Sequence, residues 1–140
     1  MISNRTIRQW FRSQIDADGT ISLDNFAWQN RTFDGSGKDL YFNERLAITQ
    51  ERITTNEESA KWGIMFYDAI VYKSSGTELQ EDTAEILADI FRPAISKDIE
   101  IEPGLKINID EATTGTASEL EPDRVLLPVR IEFRAYETTA

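Results

Sequence analysis

Residues 62–92 read WGIMFYDAIVYKSSGTELQEDTAEILADIFR, and the change of rhythm inside this stretch decides the fold. From Trp62 to Lys73 almost every position is apolar, as expected of a strand buried on both faces at the centre of a sheet. Ser74-Ser75-Gly76 breaks the run. Thr77 to Arg92 then resumes at helical spacing, with Leu79, Ile86, Leu87, Ile90 and Phe91 gathered on one side. Thr77 and Gln80 stand three apart, as in a capping box, and Pro93 stops the helix. Opposite the apolar side, Glu78, Glu81, Asp82, Glu85 and Asp89 form a wholly acidic arc. Like charges one turn apart repel, so packing on an apolar surface, not intrinsic propensity, must hold this helix in place.

The segments around this unit supply the rest of a sheet. Upstream, Ile7, Trp10, Phe11 and Ile15 recur at helical spacing over residues 4–15, with Ser3 or Asn4 as cap. Residues 24–30 alternate as a strand, with Phe26 and Trp28 on one side, and Asp34-Gly35-Ser36-Gly37 reads as a loop. A long extended segment, Tyr41 to about Thr54, puts Phe42, Glu44, Leu46, Ile48 and Gln50 on one face, and polar residues 55–61 turn it back as a hairpin. Downstream, Ile99 and Ile101 then Leu105, Ile107 and Ile109 flank Pro103-Gly104, either a hairpin or one bent strand. Residues 112–123 read as a loop. Val125, Leu127, Val129, Ile131, Phe133 and Ala135 form the inner face of a last strand, where Pro128 predicts an edge or a bulge. This order predicts one α+β domain over residues 1–140, a mostly antiparallel sheet of about five to six strands with two helices on one face.

Composition narrows the function. The 140 residues carry a formal charge of −10, which speaks against groove binding to nucleic acid, where clustered Lys and Arg displace counterions. The polar start and the want of a long apolar run predict an intracellular, soluble protein with no membrane partner. The chain has no Cys and no His. Disulfides, thiolate nucleophiles, zinc sites built on Cys or His, and imidazole-based dyads and triads are therefore excluded. Paired carboxylates remain chemically possible, but no spacing fixes two of them together. The expectation is a protein that is not an enzyme and needs no cofactor or metal.

Asp16-Ala17-Asp18-Gly19-Thr20-Ile21-Ser22 resembles the middle of a calcium loop, yet Gln14 and Asn25 occupy its two end-ligand positions, so a helix-ending Asp-Gly turn is the expectation. Trp10, Trp28, Trp62, Phe66 and Phe91 read as core. Arg5, Arg8 and Arg12 line the polar side of the first helix, a solvated face or a contact for an acidic partner.

Several of these segments together carry a resemblance. Asn25-Phe26-Ala27-Trp28-Gln29-Asn30-Arg31-Thr32-Phe33 is similar to the Ala-Trp-Glu-Asn segment, followed by Phe, of small tail-terminator proteins of tailed bacteriophages. Tyr41-Phe42-Asn43-Glu44 falls where their next strand starts. Gly63 to Tyr72 followed by Gly76 resembles their Arg-Gly-x-Tyr-x-x-x-Val-Tyr segment and glycine-rich lead into a helix, with Trp62 in place of the basic residue. Pro103-Gly104-Leu105 and Val129-Arg130-Ile131-Glu132-Phe133-Arg134-Ala135 also fit, so the likeness spans about residues 3–136.

The resemblance implies a structural virion protein of the phage tail. Such a subunit forms a closed ring, typically a homohexamer, at the head-proximal end of the tail. The ring caps the tube of major tail protein, stops its polymerisation, and offers the joint for a head-completion or stopper protein. DNA would pass through without specific binding, and assembly would occur in the host cytoplasm. On this reading Phe33, Asp34, Gly35, Ser36, Gly37 and Lys38, or Thr113, Thr114, Gly115 and Thr116, are the candidate tube or neck contacts. Glu78, Glu81, Asp82, Glu85 and Asp89 are the candidate lumen or partner face, and Arg5, Arg8 and Arg12 the candidate subunit contacts. Six subunits would gather roughly −60 of formal charge, so screening by salt is expected to favour assembly. Another connector component, a stopper or adaptor, is the alternative, with an acidic metal-binding module behind it.

Overall fold

The unbroken alternation of residues 125–135 becomes the strand on which the structure is built. In the computed structural model, which describes residues 2–28, 39–53, 58–72, 78–93, 95–121 and 123–138, that strand runs from Arg124 to Thr138. In chain order the elements are α1 (Asn4–Asp18), a 3-10 turn (Leu23–Asn25), β1 (Phe26–Ala27), β2 (Leu40–Ile53), β3 (Glu58–Tyr72), α2 (Glu78–Ile90), β4 (Ile99–Glu102), β5 (Leu105–Thr114), β6 (Ser118–Glu121) and β7 (Arg124–Thr138). The sheet order is β1-β2-β3-β7-β5-β4, with β6 also paired to β7. It is an α+β fold. The sheet is mixed, because β1 runs parallel to β2 while the other pairs are antiparallel, and among the described residues it has seven strands where about five to six were expected.

Odd-numbered residues of β7 and β3 point inward. Val129, Ile131, Phe133 and Ala135 of β7, with Met65, Tyr67 and Ala69 of β3, are closed to solvent and belong to one core cluster with residues of both helices. Phe11 of α1 lies at the middle of the aromatic packing, 5.0 Å from Phe91 beyond α2 and 5.4 Å from Phe133 of β7, ring centroid to centroid. Ser3 caps α1 by accepting a bond from the Arg5 N–H, and Gly19 ends it at φ 75° with its N–H on the Ile15 carbonyl. Asp16 and Asp18 therefore belong to a helix end and its cap, as the Asp-Gly turn predicts.

Three departures from the sequence reading have physical causes. First, α2 buries Gln80, Ala84 and Leu87, with Phe91 just beyond it, while Leu79 and Ile86 are exposed at 45% and 38%. The helix is turned by less than one residue step of roughly 100° from the face that its large apolar residues suggest. Thr77, the other half of the expected capping box, lies outside the described residues, and Gln80 is buried. Its side-chain amide donates to the Ala69 carbonyl at 2.9 Å and the Val125 carbonyl at 3.0 Å, which makes an amide tolerable against the sheet. Second, residues 112–123 are not one loop. Thr113 and Thr114 continue β5 opposite Arg130 and Val129, and β6 follows after a short turn.

Third, Pro128 sits within the central strand, opposite Asp68 of β3. Along an antiparallel strand a residue's N–H and C=O point the same way. The Pro128 carbonyl accepts from the Gly115 N–H at 2.8 Å, so its missing donor faces the break between β5 and β6, where no ladder bond is lost. Pro103-Gly104 forms a hairpin between β4 and β5, with Gly104 at φ 82° and a register shift between Glu100 and Glu102 that absorbs the mismatch of the turn.

Gly63 lies across from Phe133 in the central pair. A Cβ there would come within 2.7 Å of the Phe133 ring and 2.9 Å of the Ala47 carbonyl oxygen. The backbone oxygen has nowhere to retreat. Gly63→Ala is expected to lower stability by about 1–3 kcal/mol through overpacking, read as a lower urea midpoint at an unchanged slope.

Candidate interaction surface

The chain presents two chemically opposite faces, both set by strand and helix periodicity. With odd residues of β3 and β7 turned to the helices, the even ones must turn away. That second face carries Trp62, Ile64 and Phe66, each half-buried, and among the described residues no helix packs on it. The register rows run Arg45–Phe66–Arg130 and Gln50–Trp62–Arg134 across β2, β3 and β7. Trp62 and Phe66, expected in the core, thus belong to the open face. A strand apolar on both sides needs only one side covered by its own chain.

Guanidinium groups cover these rings. Arg45 lies 4.1 Å from the Phe66 centroid, Arg52 5.8 Å from Trp62, Arg124 5.2 Å from Tyr72, and Arg134 5.6 Å from Tyr136. On this face Arg45, Arg52, Arg124, Arg130 and Arg134 stand with the carboxylates of Asp68 and Glu132, and β5 adds Lys106 opposite Tyr136 and Glu111 opposite Glu132. Asp68 is 3.8 Å from Arg45, and Glu132 is 2.8 Å from Arg130. Burial raises the Asp68 pKa from its ordinary value, and the Arg45 charge offsets part of that rise. In a chain of net −10 the strip of this face along β2, β3 and β7 is rich in arginine, while carboxylates return on its β4–β5 side, where Tyr136 donates to Asp98 and Asn108 to Asp110. The alternation of β7 marks Arg130 and Arg134 as outward-facing, but their meeting with Arg45 and Arg52 depends on a register that no local pattern contains.

The opposite face is the outer side of α2. Glu78, Glu81, Asp82, Glu85 and Asp89 are all exposed, as expected, and the helix contains no Lys or Arg. The structure also brings two sets of sequence candidates together. Glu81 and Glu85 line an open groove of about 390 Å³ with Thr114, Gly115, Thr116 and Ala117 of the β5–β6 turn. Thr113 stands apart, on the open sheet face opposite Arg130. Phe33, Asp34, Gly35, Ser36, Gly37 and Lys38 lie outside the described residues.

The three arginines of α1 divide. Arg5 is exposed and Arg8 half-buried, but Arg12 turns inward. Its guanidinium binds both carboxylate oxygens of Glu44 on β2, Nη2 to Oε1 at 2.8 Å and Nε to Oε2 at 3.3 Å, and stacks 4.5 Å from the Trp28 ring. Arg12 is therefore an internal tie between α1 and β2. The Tyr67 hydroxyl donates to Glu44 Oε2 at 3.3 Å. Burial, then the Glu44 charge and this bond, raise the Tyr67 pKa well above 10. Glu44 is the polar residue in the otherwise apolar inward row of Phe42, Leu46 and Ile48, and its partner lies 32 residues away. That separation hides the pair from a reading by periodicity.

Among the described residues no group of three acidic side chains is arranged to hold a metal ion. No family model and no curated protein matches the chain. The fold itself has a solved counterpart. One protein structure aligns over 96% of this chain and 96% of its own, at a TM-score of 0.68 and 17% identity. At that identity the likeness concerns the fold alone.

Two outcomes test the internal tie. Glu44 has a side chain wholly closed to solvent while Arg12 retains 24% exposure, so the two truncations should be unequal. Arg12→Met, which strands the carboxylate, is expected to cost about 3–5 kcal/mol in urea unfolding; Glu44→Met should cost less, and the double variant should recover most of the loss. The native chain keeps the Tyr67 proton to higher pH than the unfolded chain does. Stability from this group is therefore complete below about pH 10 and falls as pH rises beyond it, so Tyr67→Phe should flatten the alkaline limb of a stability–pH curve.

Proposed function

We propose that this chain is a structural subunit of a phage tail, a terminator that assembles into a ring, caps the completed tail tube and presents the joint to the head-completion complex. The sequence resemblance suggests the family, and the open sheet face is the observation that carries the reading. A strand of Trp62, Ile64 and Phe66 flanked by arginines has the composition of an interface centre, where aromatic residues and Arg are enriched. Exposed apolar patches of this kind mark contact sites in proteins that act by assembly. The role is recognition and not catalysis. DNA passes the ring without being read, consistent with an acidic chain.

The experiment is direct. Mixed with purified tail-tube subunits and viewed by electron microscopy, the protein should give rings by itself and tubes whose growth stops where a ring sits. Tubes that lengthen as they do without it, together with sedimentation as a monomer at every concentration, would sink the proposal.

A further inference from the structure

The two charged faces lie on opposite sides of the chain, because α2 packs on the inner face of the sheet and turns its carboxylates outward while the arginines turn the other way. Each is also built in the same manner. On α2, Leu79 and Ile86 are exposed two helical turns apart, with Glu78, Asp82, Glu85 and Asp89 beside them. On the sheet, Trp62, Ile64 and Phe66 form an apolar line along β3, edged by arginines of β2 on one side and β7 on the other. An apolar line edged with acids thus matches an apolar line edged with arginines. The lengths agree as well: 13 residues of helix extend roughly 20 Å, and Trp62 to Phe66 with a residue beyond each end covers about the same.

We infer that, in the assembled protein, the outer face of α2 of one copy lies along the arginine-edged face of the sheet of the next copy. This deepens the ring reading and rests on it in requiring contact between copies. A guanidinium stacked on a ring can still present N–H groups to a carboxylate, as Arg45 does to Asp68, and Arg52 and Arg134, beside Trp62 and Tyr136, are placed to do so for a neighbouring copy. The same stacking speaks against nucleic acid as the occupant, since rings already covered by arginine are closed to bases, and the chain as a whole is acidic. Placement fixes the mode of association. Faces on opposite sides of one molecule cannot both be satisfied in a two-fold dimer, so each contact leaves one basic and one acidic face open, and addition continues until the copies close on themselves.

Charge reversal in two halves tests the contact. One full-length variant carries Asp82→Lys and Glu85→Lys, the other Arg52→Glu and Arg130→Glu, and circular dichroism verifies that each is folded. By sedimentation velocity each alone should associate at least about tenfold more weakly than the native chain, because like faces then oppose each other. An equimolar mixture should reassemble, with the two variants alternating. If the second variant fails to fold, Arg52→Gln with Arg130→Gln replaces it and should show the same weakening alone. Native-like assembly by both variants separately would overturn this contact and leave the ring reading standing, as would a mixture no better than its parts. A native chain that is monomeric throughout would overturn both.

Discussion

Everything in this structure hangs on the pairing of β3 with β7. The two strands run side by side from Glu58 opposite Thr138 to Tyr72 opposite Arg124 with no register shift, whereas the pairs on either side each contain one. A slip of one residue would send Met65, Tyr67, Ile131 and Phe133 outward and bring arginines into the core, so the register is fixed by burial along its whole length. Both helices cover the side that this register makes apolar. The side left over is neither polar nor closed, and that remainder is where the chemistry of association lies.

How much of this could be read from sequence depends on whether the deciding contact is local. β7 could be read, because its alternation is strict and its inward residues are all apolar. The caps of α1 could be read for the same reason: Ser3 and Asp18-Gly19 act within a few residues. The orientation of α2 could not. Five large apolar residues point one way, but the buried positions are set by a small Ala84 and by Gln80, whose amide finds two strand carbonyls supplied by the fold. β6 and the end of β5 were obscured because a polar, exposed strand, Ser-Glu-Leu-Glu in one and Glu-Ala-Thr-Thr in the other, lacks the sustained apolar alternation that a half-buried strand shows. The Arg12–Glu44–Tyr67 cluster was hidden by distance along the chain, since an arginine on the polar side of a helix looks the same whether or not a strand offers it a carboxylate.

Charge is the property that the bulk figure describes least well. A net −10 treated as a uniform sphere makes copies repel and gives salt a helpful part in assembly. Segregation changes the sign at close range. Beyond about 10 Å in moderate salt the overall repulsion is already screened, while guanidinium and carboxylate groups within a few ångströms of each other still attract. The acidic arc of α2 therefore need not be explained by solvation alone, and the arginines of the sheet need not be explained by nucleic acid.

The strand at the heart of the sheet is supplied by residues 124–138, far along the chain from its partner β3. Without residues 124–138, β3 has β2 on one side and nothing on the other, β5 holds only its hairpin with β4, and the aromatic packing lacks Phe133. The long separation between β3 and β7 makes closure of the sheet a late, non-local event. A chain that lacks residues 124–138 can form its helices and two hairpins but not its core, so the core closes only once β7 takes its place between β3 and β5.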